Sequence, residues 1–151
     1  MADGRRVAFD LARTAHLMAD EKILIIEDDP VVMSGLRANL LKEGYQVFGA
    51  TDGLEAIQFA RIEKPALIIL DLTLPNHDPT SPWDDGFAVL GWLRRTLSEG
   101  ELPVIIHTGD CSPAVTERAK ALGVATTFRK GVEVGELLKA IRAALAEKKS
   151  S

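Results

Sequence analysis

Six polar residues of this sequence follow short apolar runs, where they could act together. They are Glu27, Asp28, Asp29, Asp71, Thr108 and Lys130. Neighbouring carboxylates repel each other unless a proton or a cation intervenes, and hard oxygen ligands of this kind suit Mg²⁺, which can bridge to phosphate oxygens. A charged carboxylate can attack phosphorus to form an acyl phosphate, while a metal, an ammonium and a hydroxyl neutralise the equatorial oxygens. The set indicates phosphoryl transfer, provided that the fold brings it together.

The apolar runs that precede these residues are predicted strands, and an amphipathic segment follows each. Predicted strands cover residues 22–26, 45–50, 66–70, 104–106 and 124–128. Predicted helices begin at or near Pro30, Gly53, Gly86, Pro113 and Val134. This alternation predicts one doubly wound α/β domain with a parallel sheet. In such sheets binding sites lie beyond the carboxyl ends of the strands, so the polar residues converge if the first, third, fourth and fifth strands are neighbours.

Two caps and one apolar stripe define the helices most clearly. Asp29-Pro30 and Ser112-Pro113 each combine a capping residue with proline at a first helical position. The last helix has the cleanest period, with an inward face of Val134, Leu137, Leu138, Ile141 and Leu145. These signals predict where the helices begin and which sides they bury.

Composition limits the classes of function. The chain has 151 residues, 46% hydrophobic and 26% charged, which predicts one globular domain. A formal charge of -4 argues against a nucleic-acid surface, and no apolar run approaches the ~20 residues of a membrane helix. Cys111 is the single cysteine, so no internal disulfide can form and a cytoplasmic location is expected.

Four segments carry a specific resemblance. They are Ile-Leu-Ile-Ile-Glu-Asp-Asp-Pro at 23–30, Leu-Ile-Ile-Leu-Asp-Leu-Thr-Leu-Pro at 67–75, Pro-Val-Ile-Ile-His-Thr-Gly at 103–109 and Phe-Arg-Lys at 128–130. Together they resemble the receiver domain of two-component response regulators, over about residues 22–147. The resemblance implies a flavodoxin-like five-stranded parallel sheet of order 2-1-3-4-5 with helices on both faces.

The resemblance also implies a phosphorylation switch. Asp71 would accept a phosphoryl group from a histidine kinase or a histidine phosphotransfer protein. Thr108 would contact that group and report its presence, Lys130 would pair with it, and the small Gly109 would leave access to it.

A magnesium site is implied beside the acceptor. Asp28 and Asp71 would bind Mg²⁺ directly, the main-chain carbonyl of Thr73 would be a third protein ligand, and Glu27 would act through water.

The sequence departs from the family pattern at two positions. Gly131 follows Lys130 where receivers usually have a cis proline, and a trans bond is predicted because a cis bond without proline costs roughly 2.5–4 kcal/mol. Thr127 stands where the family usually has an aromatic switch residue. Phe128 lies one position later, so strand alternation predicts that it is a core residue and that switching does not rely on an aromatic rotation.

Alternatives of other classes stay open. A degenerate receiver could act as a phosphorylation-independent interaction module. An aspartyl-nucleophile phosphohydrolase of the dehalogenase type also uses an aspartate at a strand end, but has a second aspartate where this chain has Thr73. A nucleotide-binding module is disfavoured, since no glycine-rich phosphate motif follows a strand.

The predicted organisation is an extension over 1–20, a receiver domain over 21–147 and a tail over 148–151. The extension is predicted to be dispensable for folding, and Met18 could be the biological start. No effector domain is expected after the last predicted helix, so output is expected through a partner protein or by onward phosphotransfer. Ten residues, 76–85, separate Pro75 from Gly86 where receivers usually have three, and this loop is predicted to affect partner choice or access to the site.

Overall fold

A computed structural model defines residues 21–74, 85–96, 102–124 and 126–150, with side chains to residue 147. The extension over 1–20 and most of the insertion, residues 76–84, lie outside these ranges. The predictions that concern them therefore stay predictions.

Five parallel strands form one sheet of order β2-β1-β3-β4-β5, as predicted. They are β1 Lys22–Ile26, β2 Gln46–Ala50, β3 Leu67–Leu70, β4 Val104–Thr108 and β5 Thr126–Arg129. The order makes β1, β3, β4 and β5 successive neighbours, which is the condition for their carboxyl ends to share one edge. The sequence placed the end of β4 at residue 106, but the strand includes Thr108, which lies opposite Arg129 of β5.

Five helices follow the strands. They are α1 Pro30–Lys42, α2 Gly53–Glu63, α3 Gly86–Thr96, α4 Pro113–Ala121 and α5 Val134–Ser150. Asp29 caps α1 as predicted, since its Oδ1 accepts the N–H of Val31 at 2.9 Å. Ser112 occupies the corresponding position before α4, but its side chain makes no capping bond, so that part of the prediction is wrong. Helix α5 extends through Ser150 and includes residues 148–150 of the predicted tail.

The core has two layers, one on each face of the sheet, because successive side chains of a strand point to opposite faces. Leu24 and Ile68 belong to the layer that includes residues of α2, α3 and α4. Ile23 and Ile69 belong to the layer that includes residues of α1 and α5. Helices therefore cover both faces, as predicted. Val134 is 40% exposed, which corrects its assignment to the buried face of α5: a first-turn residue lies at the margin of the layer.

The residues around Lys130 test two predictions, the conformation of the Lys130–Gly131 bond and the position of Phe128. All peptide bonds in the described parts of the chain are trans, including Lys130–Gly131. Gly131 has a φ of 96°, a left-handed conformation that glycine adopts without a Cβ clash. Phe128 packs against the layer that contains α1 and α5, as predicted, but it is only half-buried because β5 is an edge strand of the sheet. None of the helices in the described ranges is long and apolar enough to cross a bilayer.

Candidate functional site

Two buried carboxylates lie where β1 and β3 end side by side. Asp71 donates its backbone N–H to the carbonyl of Ile26 at 2.9 Å, and Glu27 donates its own to the carbonyl of Ala50 at 2.9 Å. These bonds continue the pairing of the sheet for one residue past the strands. Glu27 and Asp71 are each only 1% exposed. Rigid backbone therefore holds both acids at the edge of the sheet that the sequence predicted.

Lys130 lies between these two carboxylates. Its Nζ is 2.9 Å from Glu27 Oε1 and 2.8 Å from Asp71 Oδ2. The backbone N–H of Lys130 donates to the carbonyl of Thr108 at 2.9 Å, which anchors the lysine beside β4. The sequence placed Lys130 in this pocket as the partner of a phosphoryl group. In the structure the ammonium binds the carboxylate of Asp71 itself and separates two acids that would otherwise repel each other.

The second oxygen of Asp71 is held by Thr73. Asp71 Oδ1 accepts the backbone N–H of Thr73 at 3.0 Å and its hydroxyl at 2.9 Å. Sequence reasoning considered Thr73 only for its carbonyl and missed these bonds. A signal was present, because an aspartate commonly bonds the backbone two residues later. Asp71 thus has a fixed orientation, with donors at both oxygens.

These contacts shift the pKa values of the three groups. Burial alone would raise the pKa of Asp71, but the hydrogen bonds from Lys130 and Thr73 outweigh it, and the net pKa is lowered. Burial raises the pKa of Glu27 despite the opposing hydrogen bond from Lys130. Burial works to lower the pKa of Lys130, yet its bonds to Asp71 and Glu27 raise it overall. The site therefore keeps Asp71 and Lys130 charged at neutral pH, which a nucleophilic carboxylate requires.

Three of the predicted acidic residues form a cluster that fits a divalent cation. One carboxylate oxygen from each of Glu27, Asp28 and Asp71 lies within 4.8 Å of the others. Asp28 is exposed, so the cluster opens to solvent, which suits Mg²⁺ because it keeps several of its waters. Asp29 is not part of this cluster, since its carboxylate caps α1. The carbonyl of Thr73 stays a predicted ligand.

Thr108, the last residue of β4, is fully buried, and its hydroxyl has no hydrogen-bond partner in the described ranges. A buried hydroxyl without a partner costs about 1–3 kcal/mol, so such atoms often belong to sites that bind something. The next residue, Gly109, is exposed, and a Cβ added there would meet nothing within 4 Å. Packing does not explain this glycine, and its role in access stays a prediction.

His107 and Cys111 flank Thr108. His107 is 6% exposed and its Nδ1 has no partner among the residues that the structure describes. Burial, with a smaller contribution from the charge of Lys130, lowers the pKa of His107. Cys111 is half-buried, with its Sγ 4.0 Å from the carbonyl of Thr108. No strong contact links either side chain to the carboxylates.

Comparison with known proteins agrees with this geometry. The model of the response regulator receiver domain family matches residues 23–142. The chain belongs to this family. Receiver domains are signalling domains of two-component systems that are generally phosphorylated and bind Mg²⁺ at an acidic pocket.

Two relatives match over most of their length. The chain is 32% identical to sporulation initiation phosphotransferase F of Bacillus subtilis, over 83% of this chain and 94% of the relative. It is 33% identical to protein PilH of Pseudomonas aeruginosa, over 83% of this chain and 98% of the relative.

Solved structures of receiver domains also align with most of this chain. A CheY-like receiver domain protein from Methanospirillum hungatei aligns with a TM-score of 0.77 and 25% identity, covering 86% of this chain and 97% of that one. The non-phosphorylated HemR receiver domain from Leptospira biflexa gives 0.72 and 26%, covering 83% and 94%. The order of the strands is therefore the order expected of the family.

Proposed function

We propose that residues 21–147 form a signalling switch in which Asp71 accepts a phosphoryl group from a histidine kinase or a histidine phosphotransfer protein. The observation that carries the proposal is the state of Asp71. This carboxylate is buried, kept charged by Lys130 and Thr73, and placed within an acidic cluster that fits Mg²⁺. A carboxylate with a lowered pKa is ready to act as a nucleophile without a general base.

In the proposed transfer, an oxygen of Asp71 forms a bond to phosphorus while the bond from phosphorus to the donor histidine nitrogen breaks. The electron pair of the broken bond stays on the imidazole, which takes up a proton. Glu27, Asp28 and Asp71 would hold Mg²⁺, which neutralises negative charge on the phosphoryl oxygens when it is bound. Lys130 exchanges its bond to Asp71 for one to a phosphoryl oxygen, a small displacement for a long flexible side chain.

Thr108 would sense the product. Its buried hydroxyl has no partner among the described residues, and a phosphoryl oxygen on Asp71 would accept a hydrogen bond from it. The loop after β4 would then carry the signal, since Thr127 and Phe128 offer no exposed aromatic switch. The downstream partner would be a protein. This chain would either bind that protein as a terminal switch or pass its phosphoryl group on to it.

Two alternative functions are weaker. In a phosphohydrolase of the dehalogenase type, a second aspartate would protonate the leaving group, but Thr73 stands there and donates its hydroxyl to Asp71. A phosphorylation-independent receiver would not need the contacts between Asp71, Lys130 and Glu27.

A cytoplasmic location stays a prediction from the single cysteine.

Small-molecule phosphodonors test the proposal. The chain is incubated with acetyl phosphate or phosphoramidate, with Mg²⁺ or with EDTA, and its intact mass is measured. We expect one acid-labile phosphoryl group that depends on Mg²⁺, and none on the Asp71→Asn variant. The Asp29→Asn variant is the matched control, since Asp29 caps α1 and should be labelled normally. Undiminished labelling of Asp71→Asn would contradict the proposal.

A further inference from the structure

A groove lies on the surface between α3 and α4. Its volume is about 530 Å³, within the range of roughly 300–1,000 Å³ that is typical of ligand sites. Its lining includes Asp85, Phe87, Gly91, Arg95, Arg118 and Leu122. The lining thus combines apolar side chains with two guanidinium groups and one carboxylate, and the groove lies outside the acidic site.

The two arginines have no acidic partner among the described residues. The Arg118 guanidinium carbon lies 4.1 Å from the centroid of the Phe87 ring, an arrangement that fixes its orientation. Arg95 folds back over its own helix, since a Cβ built on Gly91 would be 3.4 Å from Arg95 Nη1. Arg142, by contrast, has an acidic partner, with Nη1 3.6 Å from Glu43 Oε2. Two guanidinium groups at one groove, in a chain of charge -4, are complementary to an acidic ligand.

Both helices that line the groove begin near residues of the proposed phosphorylation site. Helix α3 starts at Gly86, whose N–H donates to the carbonyl of Leu72 at 3.3 Å, next to Asp71. Helix α4 starts at Pro113, five residues after Thr108. One wall of the groove is therefore hydrogen-bonded to the residue after Asp71, and the other follows Thr108 closely along the chain.

We propose that this groove docks an acidic segment of a partner protein, and that phosphorylation changes the affinity. Carboxylates of the segment pair with Arg95 and Arg118, and an apolar side chain packs on Phe87 and Leu122. A nucleic acid fits poorly, because the chain as a whole has a formal charge of -4 and the groove offers only two guanidinium groups. The docking stands without the proposed function, whereas its dependence on phosphorylation rests on it.

A random-peptide phage selection against the full chain tests the docking. We expect peptides that combine Asp or Glu with apolar residues, whose affinity falls roughly tenfold or more for Arg95→Glu/Arg118→Glu. The neutral pair Arg95→Gln/Arg118→Gln should also weaken binding, which separates lost pairing from newly created repulsion. Arg61→Glu is the charge-matched control, since Arg61 is exposed on α2. Thermal melting verifies that each variant is folded.

Several outcomes would overturn the docking site. The selected peptides could lack an excess of acidic residues, or the selection could give no binder at all. The peptides could also bind the Arg95→Gln/Arg118→Gln variant as tightly as the parent chain. Finally, citrate could displace the peptide at a concentration comparable to that of the peptide itself. The last result would assign the groove to small anions instead of a protein segment.

The same peptide is then titrated into the chain before and after treatment with acetyl phosphate, with the phosphoryl content measured by mass. A change in affinity of more than about threefold supports the output role, and an unchanged affinity of phosphorylated chain overturns it. If the treated chain carries no phosphoryl group, the output role is overturned as well. In that case the failure lies in the proposed function and not in the docking site.

Discussion

At the residue scale, the site depends on how one ammonium is shared by two buried acids. Lys130 binds both Glu27 and Asp71, yet the two pKa values move in opposite directions. Asp71 has two further donors from Thr73, whereas Glu27 accepts one further bond, from the N–H of Asp29 at 3.1 Å. The site therefore favours charge on Asp71 at the expense of Glu27, which is the distribution that a phosphoacceptor needs.

This asymmetry predicts how stability depends on pH in the Glu27→Gln variant. Because the pKa of Glu27 is raised in the folded state, its charged form destabilises the fold, and this cost appears as pH rises from the ordinary value of 4.5 through the raised pKa. The variant should match the parent below that window and be more stable above it.

Urea unfolding at several pH values from acidic to neutral measures the difference. Glu21→Gln is the control, since Glu21 precedes β1 and lies outside the acidic cluster. A stability difference that does not change with pH, or a less stable variant at neutral pH, would contradict the account.

At the element scale, α3 begins against the backbone of Asp71 and Leu72. A Cβ added to Gly86 would lie 2.7 Å from the carbonyl oxygen of Asp71 and 2.5 Å from Leu72 Cα. Backbone atoms cannot yield as a flexible side chain can, so Gly86→Ala should cost about 1–3 kcal/mol and slow phosphorylation by displacing Asp71.

Gly91→Ala in the same helix is the control, since its Cβ would meet only the mobile end of Arg95. It should be neutral or stabilising by up to about 1 kcal/mol. Stability and the rate of labelling by phosphoramidate are measured for both variants. Equal effects of the two substitutions would refute the close approach as the reason for glycine at position 86.

The side chain of Arg94 links α3 to the end of α4 by hydrogen bonds. Its Nε donates to the carbonyl of Leu122 at 2.9 Å, Nη2 donates to that of Gly123 at 2.8 Å, and Nη1 reaches the carbonyl of Leu102. Arg94→Met keeps the apolar stem and leaves these carbonyls without the guanidinium, so it should cost about 1–3 kcal/mol in denaturant unfolding. Arg95→Met is the control, and an equally large loss there would argue against the carbonyl contacts as the cause.

The same arginine marks what the sequence could not predict. Local sequence signals were sufficient for the start of α3 at Gly86 and for the cap at Asp29. The partners of Arg94 lie up to 29 residues away along the chain, and no local pattern specifies them. The missing cap at Ser112 and the exposure of Val134 are similar, since both depend on how the helix is docked.

At the scale of the whole molecule, the strand order brings together residues that are far apart in sequence. Glu27 and Lys130 are separated by 103 positions, yet their side chains are in contact. Sequence reasoning placed both at strand ends, and the parallel sheet made their convergence predictable. It did not predict that Lys130 would bind Asp71 directly, because that depends on side-chain conformation in a pocket shared by several charges.

The central claim is that Asp71 alone, among the neighbouring acids, accepts the phosphoryl group. The most direct test is to phosphorylate the chain with phosphoramidate and Mg²⁺ and reduce the acyl phosphate with borohydride, which converts the modified aspartate to homoserine. Peptide mass spectrometry then locates the product. The account predicts homoserine at position 71 only, with Asp28 and Asp29 unchanged. Reduction at position 28 or 29, or no reduced residue in a chain that carries a phosphoryl group, would contradict it.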